Sequence, residues 1–300
     1  MSVWDSLVAE GFLDRDVPLG PLTTYKLGGP ARYLVTVEGE DALERIARHL
    51  AEEPIEVVVF GRGSNILVSD EGFDGLVVRL GAGFSWVRIG DTVSAGAATS
   101  LPLLARTAVK AGRSGLEFFV GIPGSVGGAV RMNAGCHGSE TRDHLVSAMV
   151  IDLARGTSNR LGPSDLNLSY RHSRLGPLDV VTSAEFSTEP GERAASEKLI
   201  RDIIRWRKEH QPGGVLNAGS VFKNPPGDSA GRLIDEAGLK GLTVGGARVS
   251  MMHGNFIEAG PEATAANVYA LIRGVQHRLQ EMGVALEPEV RLVGRFGDDA

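Results

Sequence analysis

The amino-acid sequence predicts an α+β protein built from more than one module. Amphipathic helical stripes alternate irregularly with short β-rich runs, and 300 residues exceed the usual span of one hydrophobic core. Leu43, Ile46, Ala47 and Leu50 recur at i, i+3, i+4 and i+7, which gathers them on one helical face. Leu101, Leu104, Ala105 and Ala108 repeat the pattern. Leu199, Ile200, Ile203 and Ile204 form a third stripe, and Val268, Leu271, Ile272, Val275 and Leu279 a fourth that stops at Gly283. These stripes read as core faces.

Five runs read as strands, each bounded by Gly, Asp or Pro: "IEVVVF" (55–60), "GLVVRL" (75–80), "WVRIG" (86–90), "SAMVIDL" (147–153) and "DVVTSAEF" (179–186). Their order does not repeat as a regular βαβ array, which is why α+β is the expected class. The polar stretch "STEPGERAASEK" (187–198) reads as a boundary before the last third of the chain. No repeat of 20 to 50 residues is visible.

Hydrophobic content of 42% and charged content of 23% allow a buried core. The net charge of −6 is scattered and lacks a basic stripe, which argues against a nucleic-acid polymer as partner. The lone Cys136 forms no internal disulfide, and no Cys/His cluster suggests a metal. A packed thiol in a reducing compartment is expected. The N-terminal residues lack the charged and apolar regions of a signal peptide, and no apolar run approaches the roughly 18 residues of a membrane span. A cytoplasmic protein without membrane insertion is the expectation.

Glycine is concentrated beyond its usual share of roughly 7%, at 40 residues of 300, and three loops use it where a phosphate could meet bare backbone. In the first, "VVVFGRGSNILVSD", Gly61, Arg62, Gly63, Ser64 and Asn65 follow a strand and precede a second short strand. A tight turn and an anion nest both fit this loop, whereas the dinucleotide fingerprint does not, for want of a third glycine and a following helix. In the second, "GIPGSVGGAVRMNAG", Gly121, Pro123 and Gly124 precede Ser125, an N-cap for a short helix through Val130. Free N–H groups from Ser125 to Gly128 are expected to face a pyrophosphate. Gly127 and Gly128 each cost that helix roughly 1 kcal/mol relative to Ala, which is sensible where a ligand lies on the backbone. The third and weakest is "TTYKLGGPARYLV" (23–35).

These motifs, followed by "SYRHS", "AGSVFKNP", "AGRLIDEAGLKG" and "LEPEVRLVG", occur in an order that resembles the UDP-N-acetylenolpyruvoylglucosamine reductase family over about nine tenths of the chain. The resemblance implies an FAD-binding module of the vanillyl-alcohol-oxidase type in two subdomains, residues 1–80 and 81–195. An α+β substrate domain follows over 196–300, its last strand a candidate to return to the first subdomain. The short stretch after "SYRHS" resembles the compact class that lacks an inserted tyrosine loop. The FAD contacts are expected from Gly61 to Asn65, from Gly121, Pro123, Gly124, Ser125, Gly127 and Gly128, and from Asn133, Ala134 and Gly135. Non-covalent FAD is expected, because no histidine stands in the first loop to bond the flavin. The chain departs from the family pattern at Arg62, Arg131, His137 and "MMHGNFIEAG".

The resemblance further implies that NADPH reduces FAD, that the flavin N5 passes a hydride to C3 of a UDP-sugar enolpyruvyl ether, and that Ser220 protonates C2. Arg171 matches the family's catalytic arginine, and a planar guanidinium suits a carboxylate. Glu289, directly before Val-Arg, matches the catalytic glutamate in preference to Glu287. Tyr170, Lys223 and Asn224 are the expected substrate contacts, and a monomer is favoured.

Overall fold

A computed structural model describes residues 2–297; Met1 and residues 298–300, the outer ends of the expected first and third modules, lie outside the described residues. The chain divides into two units. The first comprises residues 1–15, 33–62 and 75–207, the second residues 16–32, 63–74 and 208–300. This division differs from three consecutive modules because two inner segments of the N-terminal third go with the C-terminal residues. The physical reason is pairing: strand Ile66–Val68 lies parallel to strand Arg291–Val293, with Leu67 opposite Leu292.

Within the first unit two cores form. One gathers Trp4, Leu7, Tyr33, Leu43, Ile46, Leu76 and Val78, with helix Glu40–Glu52 contributing every residue of its apolar stripe. That helix opens on Glu40 and Asp41, negative charges that favour the positive end of the helix dipole. Its sheet runs in the order Asp14–Pro18, Pro30–Val37, Phe73–Leu80, Val57–Phe60, and the last two strands are parallel, with Val57 opposite Leu76.

The other core gathers Val93, Leu101, Leu104, Phe119, Val126, Val130, Phe186, Ile200 and Ile203. Its antiparallel sheet has the order Thr157–Leu161, Leu145–Asp152, Asp179–Ser187, Thr92–Gly96, Val87–Ile89. All five sequence-predicted strands are present. The polar stretch 187–198, expected to be a boundary, holds the short strand Glu189–Pro190 and the start of helix Arg193–His210. That helix buries Ile200 and Ile203 in this core, but Leu199 and Ile204, assigned to the same stripe, are 48% and 39% exposed. Adjacent residues sit about 100° apart around a helix, so a pair flanking two core residues can face outward.

The second unit has its own core of Tyr25, Leu67, Val221, Phe222, Ile234, Val249, Ile257 and the face of helix Ala265–Glu281. A capping box of Thr264 and Asn267 starts that helix, and Asp70 accepts the N–H groups of Ala265 and Ala266. It ends before Gly283, whose φ of 81° falls in the left-handed region open to glycine.

Candidate active site

In the first unit, strand Val57–Phe60 delivers the exposed Gly61 and Arg62 beside the second glycine loop. A Cβ on Gly61 would stand 2.6 Å from Ser125 Oγ, so a side chain at Gly61 would force that hydroxyl to shift. Ser125 is buried and caps helix Val126–Met132, with Gly128 N–H donating to its Oγ at 3.4 Å. Three of the N–H groups expected to stand free toward a phosphate do not: besides the Gly128 bond to Ser125 Oγ, Val126 donates to Thr99 O at 3.0 Å and Gly127 to Ala97 O at 2.9 Å. Strand-like pairing of the loop with residues 97–99 uses the latter two internally. Gly127 is small because Ala97 Cβ would lie 3.1 Å from its Cβ, whereas Gly128 is exposed and meets nothing closer than Ser125 Oγ at 3.5 Å. Bare, outward-facing backbone at Gly61 and Gly128 around a buried hydroxyl is a surface that a pyrophosphate can approach closely, which fits FAD.

Asn133 is 0% exposed and holds a left-handed φ of 41° at the end of that helix. Its Nδ2 donates to Glu140 Oε2 and to Ser169 O, both at 2.9 Å, while its Oδ1 accepts the Arg142 N–H at 2.9 Å. The amide is therefore committed to the fold. It ties the "MNAG" turn to the hairpin that carries Arg171. In that hairpin Ser169 and His172 exchange N–H to carbonyl bonds of 3.1 and 3.0 Å, leaving Tyr170 and Arg171 at the tip. Arg171 holds φ 53°, a conformation uncommon for a residue with a side chain and often found at functional tips. Its Nη2 donates to Gly135 O at 3.0 Å, and the guanidinium lies 5.0 Å from the centroid of the exposed Tyr170 ring. Cys136 donates to Phe118 O at 3.1 Å, and burial pushes its thiol up to about 11, so it is a packed and unreactive group.

In the second unit the segment "NAGSVFKN" carries Ser220, half-buried between buried Ala218 and Val221. Gly219 N–H donates to Asn217 Oδ1 at 3.0 Å, a side-chain turn that leads into an extended stretch. Val221 O accepts the Glu289 N–H at 2.7 Å, and Lys223 N–H donates to Glu287 O at 2.9 Å. Ser220 and Glu289 are thus carried on neighbouring backbones. Asn65 closes the other side: its Nδ2 donates to Glu289 O and its own carbonyl accepts the Arg291 N–H, both at 3.0 Å. Lys223 Nζ pairs with Glu287 Oε1 at 2.6 Å, and Asn224 Oδ1 accepts the Ala230 N–H at 3.0 Å at the start of helix Ala230–Glu236. Gly63 belongs here too, its carbonyl accepting the Thr24 N–H at 3.0 Å and so joining the first and third loops.

Two residues that sequence reasoning did not select hold the Ser220 segment. Buried Asn255 accepts the Phe222 N–H at Oδ1 and donates to Phe222 O from Nδ2, both at 2.8 Å. Buried Tyr25 donates its hydroxyl to Ile257 O at 3.2 Å and meets the Ala218 backbone. Neither has a local signal in the sequence, since Tyr25 stands in the polar stretch "TTYKLGG" and Asn255 in the mixed stretch "HGNFIE".

The glycine-rimmed loops on a two-core α+β unit define a flavin-binding protein, and the family described as "FAD binding domain" matches residues 31–162. Residues 211–293, which carry Ser220 and Glu289, match "UDP-N-acetylenolpyruvoylglucosamine reductase, C-terminal domain". The chain belongs to the UDP-N-acetylenolpyruvoylglucosamine reductase family. It is 44% identical to reductase 2 of Symbiobacterium thermophilum, over 95% of this chain and 93% of that one. It is also 44% identical to the reductase of Acidiphilium cryptum, over 98% and 96% of the two chains. The crystal structure of the Thermus caldophilus reductase superposes with a TM-score of 0.83 at 40% identity, covering 94% of this chain and 99% of that one. Among the described residues no helix is long and apolar enough to cross a membrane.

Proposed function

We propose that the chain reduces UDP-N-acetylglucosamine enolpyruvate to UDP-N-acetylmuramate with NADPH, using Arg171, Ser220 and Glu289 as its chemical groups. The observation that carries this reading is the 2.7 Å bond from Glu289 N–H to Val221 O, which sets the two C-terminal groups on adjoining backbones. When bound, FAD supplies a route for the hydride from NADPH to the enolpyruvyl double bond. It would be held by the exposed backbone of Gly61 and Gly128 beside Ser125. The protein's own work is orientation, counter-charge and one proton.

Arg171 binds the enolpyruvyl carboxylate through paired hydrogen bonds, and its rigid hairpin reduces the entropy of holding it. Ser220 donates the proton to C2 as negative charge grows there, since a hydroxyl is a competent acid only when positioned against developing charge. Glu289 orients that proton transfer. Lys223 and Asn224 contact the UDP-sugar, with Tyr170 beside Arg171. Action in a reducing, cytoplasmic compartment is part of the reading, supported by the single unpaired thiol, and a monomer is the oligomeric state proposed with it.

Anaerobic stopped-flow mixing tests it. NADPH should bleach the flavin and the enolpyruvyl substrate should restore its colour. Reoxidation by oxygen alone would point to an oxidase on the same fold and overturn the reading.

A further inference from the structure

We infer that Asn255 is a positioning residue for Ser220, acting through the backbone of Val221 and Phe222; this rests on the proton-donor role given to Ser220 above. Four contacts make the case. Asn255 O accepts the Val221 N–H at 2.9 Å, its Oδ1 accepts the Phe222 N–H at 2.8 Å, and its Nδ2 donates to Phe222 O at 2.8 Å. On the opposite edge of the same residue, Val221 O accepts the N–H of Glu289 at 2.7 Å. The extended segment that begins one residue after Ser220 is therefore gripped from both edges, by Asn255 on one and by the Glu289 segment on the other.

Asn255 is itself held. Its N–H donates to His253 Nδ1 at 3.1 Å, and it is 3% exposed, so the amide cannot be replaced by water without opening the core. The grip matters because of where it acts. Ser220 follows Gly219, whose φ of 76° makes a sharp turn, and it is the half-exposed residue between two buried anchors, Ala218 and Val221. Ala218 meets the Tyr25 hydroxyl. With the turn before it tied through Gly219 N–H to Asn217 Oδ1 and the segment after it clamped, the backbone position of Ser220 is set from both sides, and Asn255 supplies three of the bonds on the second. A displacement near 1 Å at a reacting group costs on the order of 10²-fold in rate.

The test uses the full-length, FAD-loaded protein. Asn255→Ala should leave flavin reduction by NADPH and binding of the UDP-sugar product unchanged, and slow flavin reoxidation by the enolpyruvyl substrate by about 10- to 100-fold. The doubly substituted Ser220→Ala/Asn255→Ala protein should be no slower than Ser220→Ala alone, since a residue acting through Ser220 has nothing left to position. Hydrogen exchange at the Val221 and Phe222 amides should rise in Asn255→Ala. If that protein does not retain its fold, Asn255→Asp keeps the shape and the acceptor but loses the donor to Phe222 O, and the same kinetic split is expected. Wild-type reoxidation in either folded variant, or additive losses in the double variant, overturns the role of Asn255. A Ser220→Ala protein that reoxidises normally instead overturns the donor assignment on which it rests.

Discussion

The Glu289 N–H donates to the Val221 carbonyl at 2.7 Å, joining two segments that lie far apart in the chain. This bond separates two glutamates that the sequence places side by side. Glu287 spends its carboxylate on an ion pair with Lys223 and is 69% exposed at its side chain, while the Glu289 backbone lies along the extended segment that follows Ser220. Glu287→Gln should therefore change turnover less than threefold, as expected for an exposed pair. Glu289→Gln should lower the rate of the second half-reaction by at least tenfold. Equal losses in the two variants, measured by single-turnover reoxidation, would refute the assignment.

Ser220→Ala removes a hydroxyl and almost no volume. Flavin content and reduction by NADPH should persist, and reoxidation by substrate should slow by about 10²–10⁴-fold, equivalent to roughly 3–5 kcal/mol of barrier. Ser220→Cys should retain more activity, because a thiol can still donate. An unchanged reoxidation rate in Ser220→Ala would make Glu289, through water, the leading proton source.

Gly128 is exposed, and a Cβ there would meet only Ser125 Oγ, at an ordinary van der Waals distance of 3.5 Å. Gly128→Val should fold yet lose FAD, since the branched side chain would occupy the ligand's approach to the backbone. In the unaltered protein, acid precipitation should release all flavin into the supernatant, because Gly61 to Asn65 contains no histidine to bond it. Normal flavin content in the variant would remove Gly128 from the site, and flavin remaining on the precipitate would refute non-covalent binding.

Asn133→Ala should destabilise the first unit by about 2–4 kcal/mol, because three hydrogen bonds of a fully buried amide are lost and the Arg142 N–H is left without its acceptor. Alanine is also strained at the φ of 41° held there. Urea denaturation read by tryptophan fluorescence measures this. A loss below 0.5 kcal/mol on that measurement would show the amide to be dispensable, by the scale of ordinary surface substitutions.

Burial holds the His253 imidazole below its usual range, and nearby Lys240 and His210 push the same way, while Nδ1 accepts the Asn255 N–H. A lowered folded value means that the unfolded chain takes up the proton first. The stabilising contribution is thus complete above about pH 6.5 and declines as pH falls below it. His253→Asn keeps an acceptor for Asn255 without the titration, so its melting temperature should fall less than that of the unaltered protein between pH 7.5 and 5.5, as measured by scanning calorimetry. Parallel declines would show that His253 does not titrate in that window.

The sequence by itself determined the elements and their class. Leu43 to Leu50, Leu101 to Ala108 and Val268 to Leu279 are helical core faces because period and burial agree along each of them, and local pattern suffices for that. Arg171, Ser220 and Glu289 were legible only through ordered motifs, since a lone polar residue in a loop has no local signature. Tertiary structure alone decided which unit each segment joins. Ile66–Val68 goes with the last strand because its open edge pairs with Arg291–Val293, a contact that no periodicity encodes. It also decided which donors are spent. The N–H groups of Val126 and Gly127 and the amides of Asn133 and Asn255 are committed to partners that are distant in sequence or non-periodic. A hydrogen bond satisfies a buried polar group wherever its partner comes from, so long-range partners become visible only once the chain is folded.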